Sequence, residues 1–155
     1  LFWNAGDRSG GSFIAVPSDK CGSDLFKPMV GRGSAFADID GDGDLDVVIT
    51  QIAGTPKVLR NDQELSHHWI RLKLVGTKNN RDAIGAWVKL RVADQTLWRQ
   101  VMPTRSYFSQ SELPITIGLG QATQPDDLEV IWPGGARQRV ESVGVDRVTV
   151  ITEAQ

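Results

Sequence analysis

From His68 onward the chain is written in short runs of strictly alternating apolar and polar residues. Ile70, Leu72 and Leu74 share one side of such a run, and Trp69, Arg71 and Lys73 share the other. Ala86, Val88, Leu90 and Val92 alternate with Trp87, Lys89 and Arg91. The same rhythm returns at Ile115, Ile117 and Leu119, at Leu128, Val130 and Trp132, and at Val148 and Val150. Successive side chains of a strand point to opposite faces, so a period of two commits a segment to a half-buried strand. Turn formers bound the runs: Gly76-Thr77-Lys78-Asn79-Asn80, Ala93-Asp94-Gln95, Gly120-Gln121 and Pro133-Gly134-Gly135. Strands at such close spacing predict an antiparallel sandwich or barrel. No stretch sustains helical spacing without an intruding Gly or Pro, and 16 Gly and 7 Pro favour many short strands.

The first part of the chain has a different character. A Gly/Ser-rich stretch from Gly6 to Gly33 is followed by an apolar–acidic–apolar block and a strand ending in Asn61. Leu1-Phe2-Trp3-Asn4 is weakly echoed by Val58-Leu59-Arg60-Asn61, as in a repeat of propeller-blade size. Asp62 to His67 is polar and reads as a junction, which gives two units, residues 1–62 and 63–155. Cys21 is the single cysteine, so an internal disulfide, a four-Cys zinc site and a CxxC motif are excluded. The sequence opens on Leu1 with no basic-then-apolar leader and is expected to be a piece of something longer.

Five aspartates fall within nine residues at Asp38-Ile39-Asp40-Gly41-Asp42-Gly43-Asp44-Leu45-Asp46, with no Lys or Arg among them. Neighbouring carboxylates repel and resist ionising together, so such crowding calls for a compensating cation. Calcium is a hard cation that collects oxygen ligands, and the spacing suits it. Asp38, Asp40 and Asp42 at loop positions 1, 3 and 5 converge if the chain curls, and Gly43 permits the sharp turn at position 6. Asp44 at position 7 offers a backbone carbonyl and Asp46 at position 9 closes the shell. An EF-hand needs a Glu at position 12, where Ile49 stands here. Both flanks, Ser34-Ala35-Phe36-Ala37 and Val47-Val48-Ile49-Thr50, are strand-like, so the loop joins two strands. The competing readings are a solvated acidic turn and a magnesium site.

The block Phe36-Ala37-Asp38-Ile39-Asp40-Gly41-Asp42-Gly43-Asp44-Leu45-Asp46-Val47-Val48-Ile49 resembles the FG-GAP (VCBS-type) repeat of integrin-like β-propellers over Gly31 to Asn61. That resemblance implies a calcium loop between two strands of a blade. Downstream, Gly76 to Ala86, Ser106-Tyr107-Phe108-Ser109-Gln110, Ile117-Gly118-Leu119-Gly120 and Val130-Ile131-Trp132-Pro133-Gly134-Gly135 resemble the ASPIC/UnbV domain in the same order. Ile131 stands where that pattern carries a basic residue. The combination is similar to the C-terminal end of extracellular proteins of the cartilage-acidic-protein type. The implied fold is all-β: one propeller-type blade with an inter-strand calcium loop, then an antiparallel β-sandwich or barrel.

Composition narrows the function. Lys and Arg total 17 against 19 Asp and Glu, a formal net charge of −2, so the clustered positive charge of a nucleic-acid surface is missing. The longest aliphatic run, Val47-Val48-Ile49, is far short of a membrane span. His67-His68 point to opposite faces of a strand and read as junction packing; Asp126-Asp127 read as a strand start. Asn79 to Asp82 reads as a structured turn. Ser106, Ser109 and Ser111 lack a nucleophile elbow and an obvious base, so no enzyme is expected. Of the tryptophans, Trp69 and Trp87 share the phase of Lys and Arg, where an exposed ring can meet a sugar or a protein. The expectation is a non-catalytic, calcium-binding, secreted or cell-surface module for adhesion, protein interaction or assembly. Its partner would be an extracellular protein or a glycan. The alternatives are a carbohydrate-binding or enzyme-accessory module using exposed Trp, and a subunit that self-associates through sheet edges.

Overall fold

The computed structural model describes residues 1–5, 13–63 and 65–155; residues 6–12 of the Gly/Ser-rich stretch lie outside it. Twelve strands form four sheets among the described residues. β1 (Phe2–Asn4) pairs with β2 (Phe13–Ala15), followed by a helical turn at Ser18–Cys21 and a 3-10 turn at Asp24–Phe26. β3 (Gly31–Ala37), β4 (Asp46–Gln51) and β5 (Lys57–Leu59) make an antiparallel sheet, and the acidic loop joins its first two strands. Phe36 faces Val47 and Ala37 faces Asp46 across the β3–β4 ladder, so the loop closes directly on a paired base.

The remaining strands build a sandwich. β6 (His68–Val75) lies between β9 (Ile115–Gly120) and β12 (Val148–Thr152). β7 (Trp87–Val92) and β10 (Asp127–Ile131) are the centre of the second sheet, flanked by β8 (Gln95–Gln100) and β11 (Arg137–Arg139). The inward faces carry the alternating sets read from the sequence: Ile70, Leu72, Leu74, Val88, Leu90, Val92, Ile115, Ile117, Leu119, Leu128 and Val130 are all buried, with Trp132 among them. Every buried hydrophobic residue of the described chain lies between Ile70 and Ile151. The sheets stay open, so of the two expected forms the sandwich is the one realised.

One strand reverses its expected phase. Val148 and Val150 are 52% and 59% exposed, and Ile151 is buried in their place. β12 runs parallel to β6, with Val148 opposite Arg71, Val150 opposite Lys73 and Ile151 opposite Leu74. Paired residues share a face, so the two valines inherit the outward side of β6. The end of β12 is pinned by Glu153, whose carboxylate accepts the amides of Thr77 at 2.9 Å and Lys78 at 3.0 Å. The Lys78 and Thr77 amides hold that buried carboxyl below its ordinary range.

The expected minor features take structural roles. Asn80 folds the 79–84 turn on itself, accepting from Ile84 N at 2.7 Å and donating to Ile84 O at 3.0 Å. His68 Nδ1 meets Asp146 at 2.7 Å, and β10 begins at Asp127. Cys21 is half-buried, its thiol directed at the Pro17 carbonyl.

Candidate metal centre

β3 delivers Asp38 at its end and β4 opens on Asp46, so the ladder itself fixes the two limits of the acidic loop. Between them the chain turns through Gly41 and Gly43, with φ of 83° and 95°, a region in which a Cβ is strained. Those two turns aim the amides of Gly41 and Gly43 at the Asp38 carboxylate, at 2.7 and 3.2 Å. The Asp44 amide turns onto Asp42 Oδ1 at 2.9 Å. As a result, Asp38, Asp40 and Asp42 each place one carboxylate oxygen so that all three lie within 4.8 Å of one another. Among the described residues this group can hold a metal ion, and its donors are the hard oxygens that calcium or magnesium takes.

Asp44 and Asp46 stand apart from that trio. Asp44 accepts the Gln63 amide at 3.2 Å. Partial burial raises its pKa, and the neighbouring charges of Asp42, Asp38 and Asp46 add to the rise. Asp46 is fully buried and acts as a brace: Oδ2 accepts Ile39 N and Oδ1 accepts Asn61 N, both at 2.8 Å. It therefore ties the start of the loop to the segment leaving β5.

Two arginines approach the loop from outside, and the sequence pattern marks neither. Arg60 Nε lies 3.8 Å from Asp40 but 2.7 Å from Asp62. Arg71, on the face of β6 turned away from the sandwich core, contacts both the carbonyl and the carboxylate of Asp38 through Nη1, and Glu112 through Nη2. Each arginine is thus shared with a further carboxylate. Desolvation raises the pKa of Glu112, and the Arg71 charge works against that rise. Among the described residues the five clustered acids thus face two arginines, each shared with another carboxylate, and the oxygen donors of the trio fit a metal ion.

Trp69 also departs from its expected exposure. A Cβ added to Gly43 would fall within 2.2–2.4 Å of its indole, so the ring packs closely against the loop's second glycine. Trp87 does stay exposed, at 41%, beside Trp98 at 44%.

The sequence profile of the family described as "ASPIC and UnbV" matches residues 76–155, the stretch that carries all of the sandwich except β6. The chain belongs to the ASPIC and UnbV family. It is also 32% identical over 109 residues to "Cartilage acidic protein 1" of Xenopus tropicalis, an alignment covering 68% of this chain. The chain spans 16% of the length of that relative. The ASPIC/UnbV match begins immediately after β6, so Trp69 and Arg71 lie just outside it, and Glu112 lies within it.

Proposed function

We propose that this chain is a calcium-braced, non-catalytic extracellular module for adhesion or assembly, in which residues 31–61 serve as a propeller-type blade of the FG-GAP kind and the following unit is the ASPIC/UnbV sandwich. The observation that carries the metal reading is the convergence of Asp38, Asp40 and Asp42 in a loop whose two arginines are each shared with another carboxylate. Asp38, Asp40 and Asp42 would hold the ion, which would neutralise the loop and fix the angle between β3 and β4. The non-catalytic reading is supported by the serine cluster: Ser106 and Ser111 accept backbone amides, and Ser109 donates to Tyr107 O at 2.9 Å. No helix among the described residues is long and apolar enough to cross a membrane. The extracellular setting is drawn from the likeness to cartilage acidic protein 1, and it suits a module whose calcium sites fill in the millimolar range.

Calcium at a hundredfold over its Kd adds about 2.7 kcal/mol to a folded state that alone binds it. For a chain of this size that is a Tm rise of roughly 5–10 °C. Asp42→Ala should abolish the rise. A Tm that stays the same in calcium and in chelator, measured by scanning calorimetry on the wild-type chain, would refute the metal reading.

A second reading is favoured by one surface. Trp87 and Trp98 meet edge to face at 6.3 Å on the outer side of the β7–β8 pair, and Lys89 Nζ lies 5.6 Å from the Trp98 ring. Aromatic faces beside a cation suit a glycan with acidic groups. Binding on a glycan array that disappears with Trp87→Ala would establish it, and an array with no hits would remove it.

A further inference from the structure

β3 is the edge strand of its sheet, and an edge strand presents every second backbone amide to whatever lies beside it. Here a loop of the ASPIC/UnbV unit lies there. Ser34 N donates to Ser106 Oγ at 3.2 Å, and Phe36 N donates to Ser111 Oγ at 3.2 Å. Glu112 N returns a bond to Phe36 O at 3.1 Å. Two hydroxyls and one amide thus answer the edge at a two-residue interval, as a neighbouring strand would.

Side chains around that seam select what can dock. A Cβ on Gly33 would lie 2.3 Å from Ser109 Oγ and 2.7 Å from the Tyr107 carbonyl, so the 106–109 turn admits only glycine there. Ser106 and Ser109 form a bridge across that turn. Arg105 sits over the Phe36 ring at 5.7 Å. Arg71 takes the Asp38 carboxylate, while Glu112 holds the other arm of the guanidinium. Trp69 covers Gly43. Glycine, aromatic, aspartate and glycine at 33, 36, 38 and 43 each meet a matching feature of the second unit.

We propose that Trp69, Arg71 and residues 105–112 form a receptor for the edge of a β-strand that runs into a glycine-containing acidic loop, a receptor filled in this chain by residues 33–43. The partner it fits is a calcium-loop hairpin, held through its backbone edge and its first aspartate. The second unit therefore recognises the first, rather than merely following it along the chain. The hydroxyl contacts at Ser106 and Ser111 touch none of the clustered carboxylates, so the serine changes test the edge seam separately from the calcium reading, and the Arg71 contact to Asp38 is the one feature the two share.

Two measurements on the full chain in excess calcium test it. In Ser106→Ala/Ser111→Ala, amide exchange at Ser34 and Phe36 should accelerate about tenfold or more, while Ile70 and Leu72 in the sandwich keep their protection. Unchanged exchange at Ser34 and Phe36 overturns the proposal. A protease site introduced between Gln63 and Ser66 then allows the chain to be cut after folding. The two pieces should co-elute in gel filtration, and should separate when Arg71→Met is added to the two serine changes. Pieces that part on cutting without those changes, or that stay together with all three, overturn it.

Discussion

Asp46→Ala should cost the fold roughly 4 kcal/mol in chelator, where no ion can contribute. Asp46 is the one aspartate of the loop with no exposed surface, and both its oxygens accept backbone amides at 2.8 Å. Alanine leaves Ile39 N and Asn61 N without that acceptor, at about 1–3 kcal/mol for each orphaned group, and loses two charge-assisted bonds. Asp46→Asn should fall between, because its amide keeps one acceptor and turns a donor toward the other N–H. Urea denaturation followed by circular dichroism reads the difference. A loss of under about 1 kcal/mol for Asp46→Ala would show that the brace carries little weight. The comparison with Asp42→Ala separates two kinds of acid in one loop: the Asp42 change should act through calcium, the Asp46 change without it.

Trp132→Ala should destabilise the chain by about 3–5 kcal/mol, a Tm fall on the order of 10 °C. Trp132 is the largest fully buried side chain among the described residues and belongs to the sandwich core. Its indole N–H donates to Gln138 Oε1 at 2.9 Å. Gln138 in turn accepts Ala154 N at 3.0 Å and donates to Thr152 O at 3.1 Å, so the ring helps to hold β11 against the end of β12. Trp132→Phe keeps most of the packing and loses that bond, and should cost about 1–2 kcal/mol. Calorimetry on the three proteins checks the order. Equal melting points for wild type and Trp132→Ala would mean that the core closes without the ring.

The period-two pattern carried most of the sandwich. Ile70, Leu72, Leu74, Val88, Leu90, Leu128 and Val130 are inward where alternation puts them, because one-sided burial leaves a strand no other choice of face. Val148 and Val150 show where that logic stops. Alternation gives two faces but not which is inner, and that was decided by pairing with a strand more than seventy residues earlier. The acidic loop stands out in the sequence because its charge is local, and Asp38, Asp40 and Asp42 lie together as the spacing implied. Asp46 reads in sequence as one more ligand position, and what the sequence does not show is that its carboxylate also accepts amides from Ile39 and Asn61, the latter beyond β5. Arg71 was illegible for a similar reason. On β6 it occupies an outward position like that of Lys73, and only the contact with Asp38 and Glu112 distinguishes the two.

The parallel pairing of β12 with β6 also bears on how the chain reaches its native state. Of the strands described, β12 emerges last from the ribosome, yet it completes the ladder of the strand that opens the sandwich. Such a long-separation contact is slow to close, since the loop entropy is spent before the contact returns anything. Until then one flank of β6 stays available for mispairing, and the hairpin bearing the acidic loop is released well before its seat is finished. The folding rate of the chain should respond to changes in β12 more than to changes in the loop.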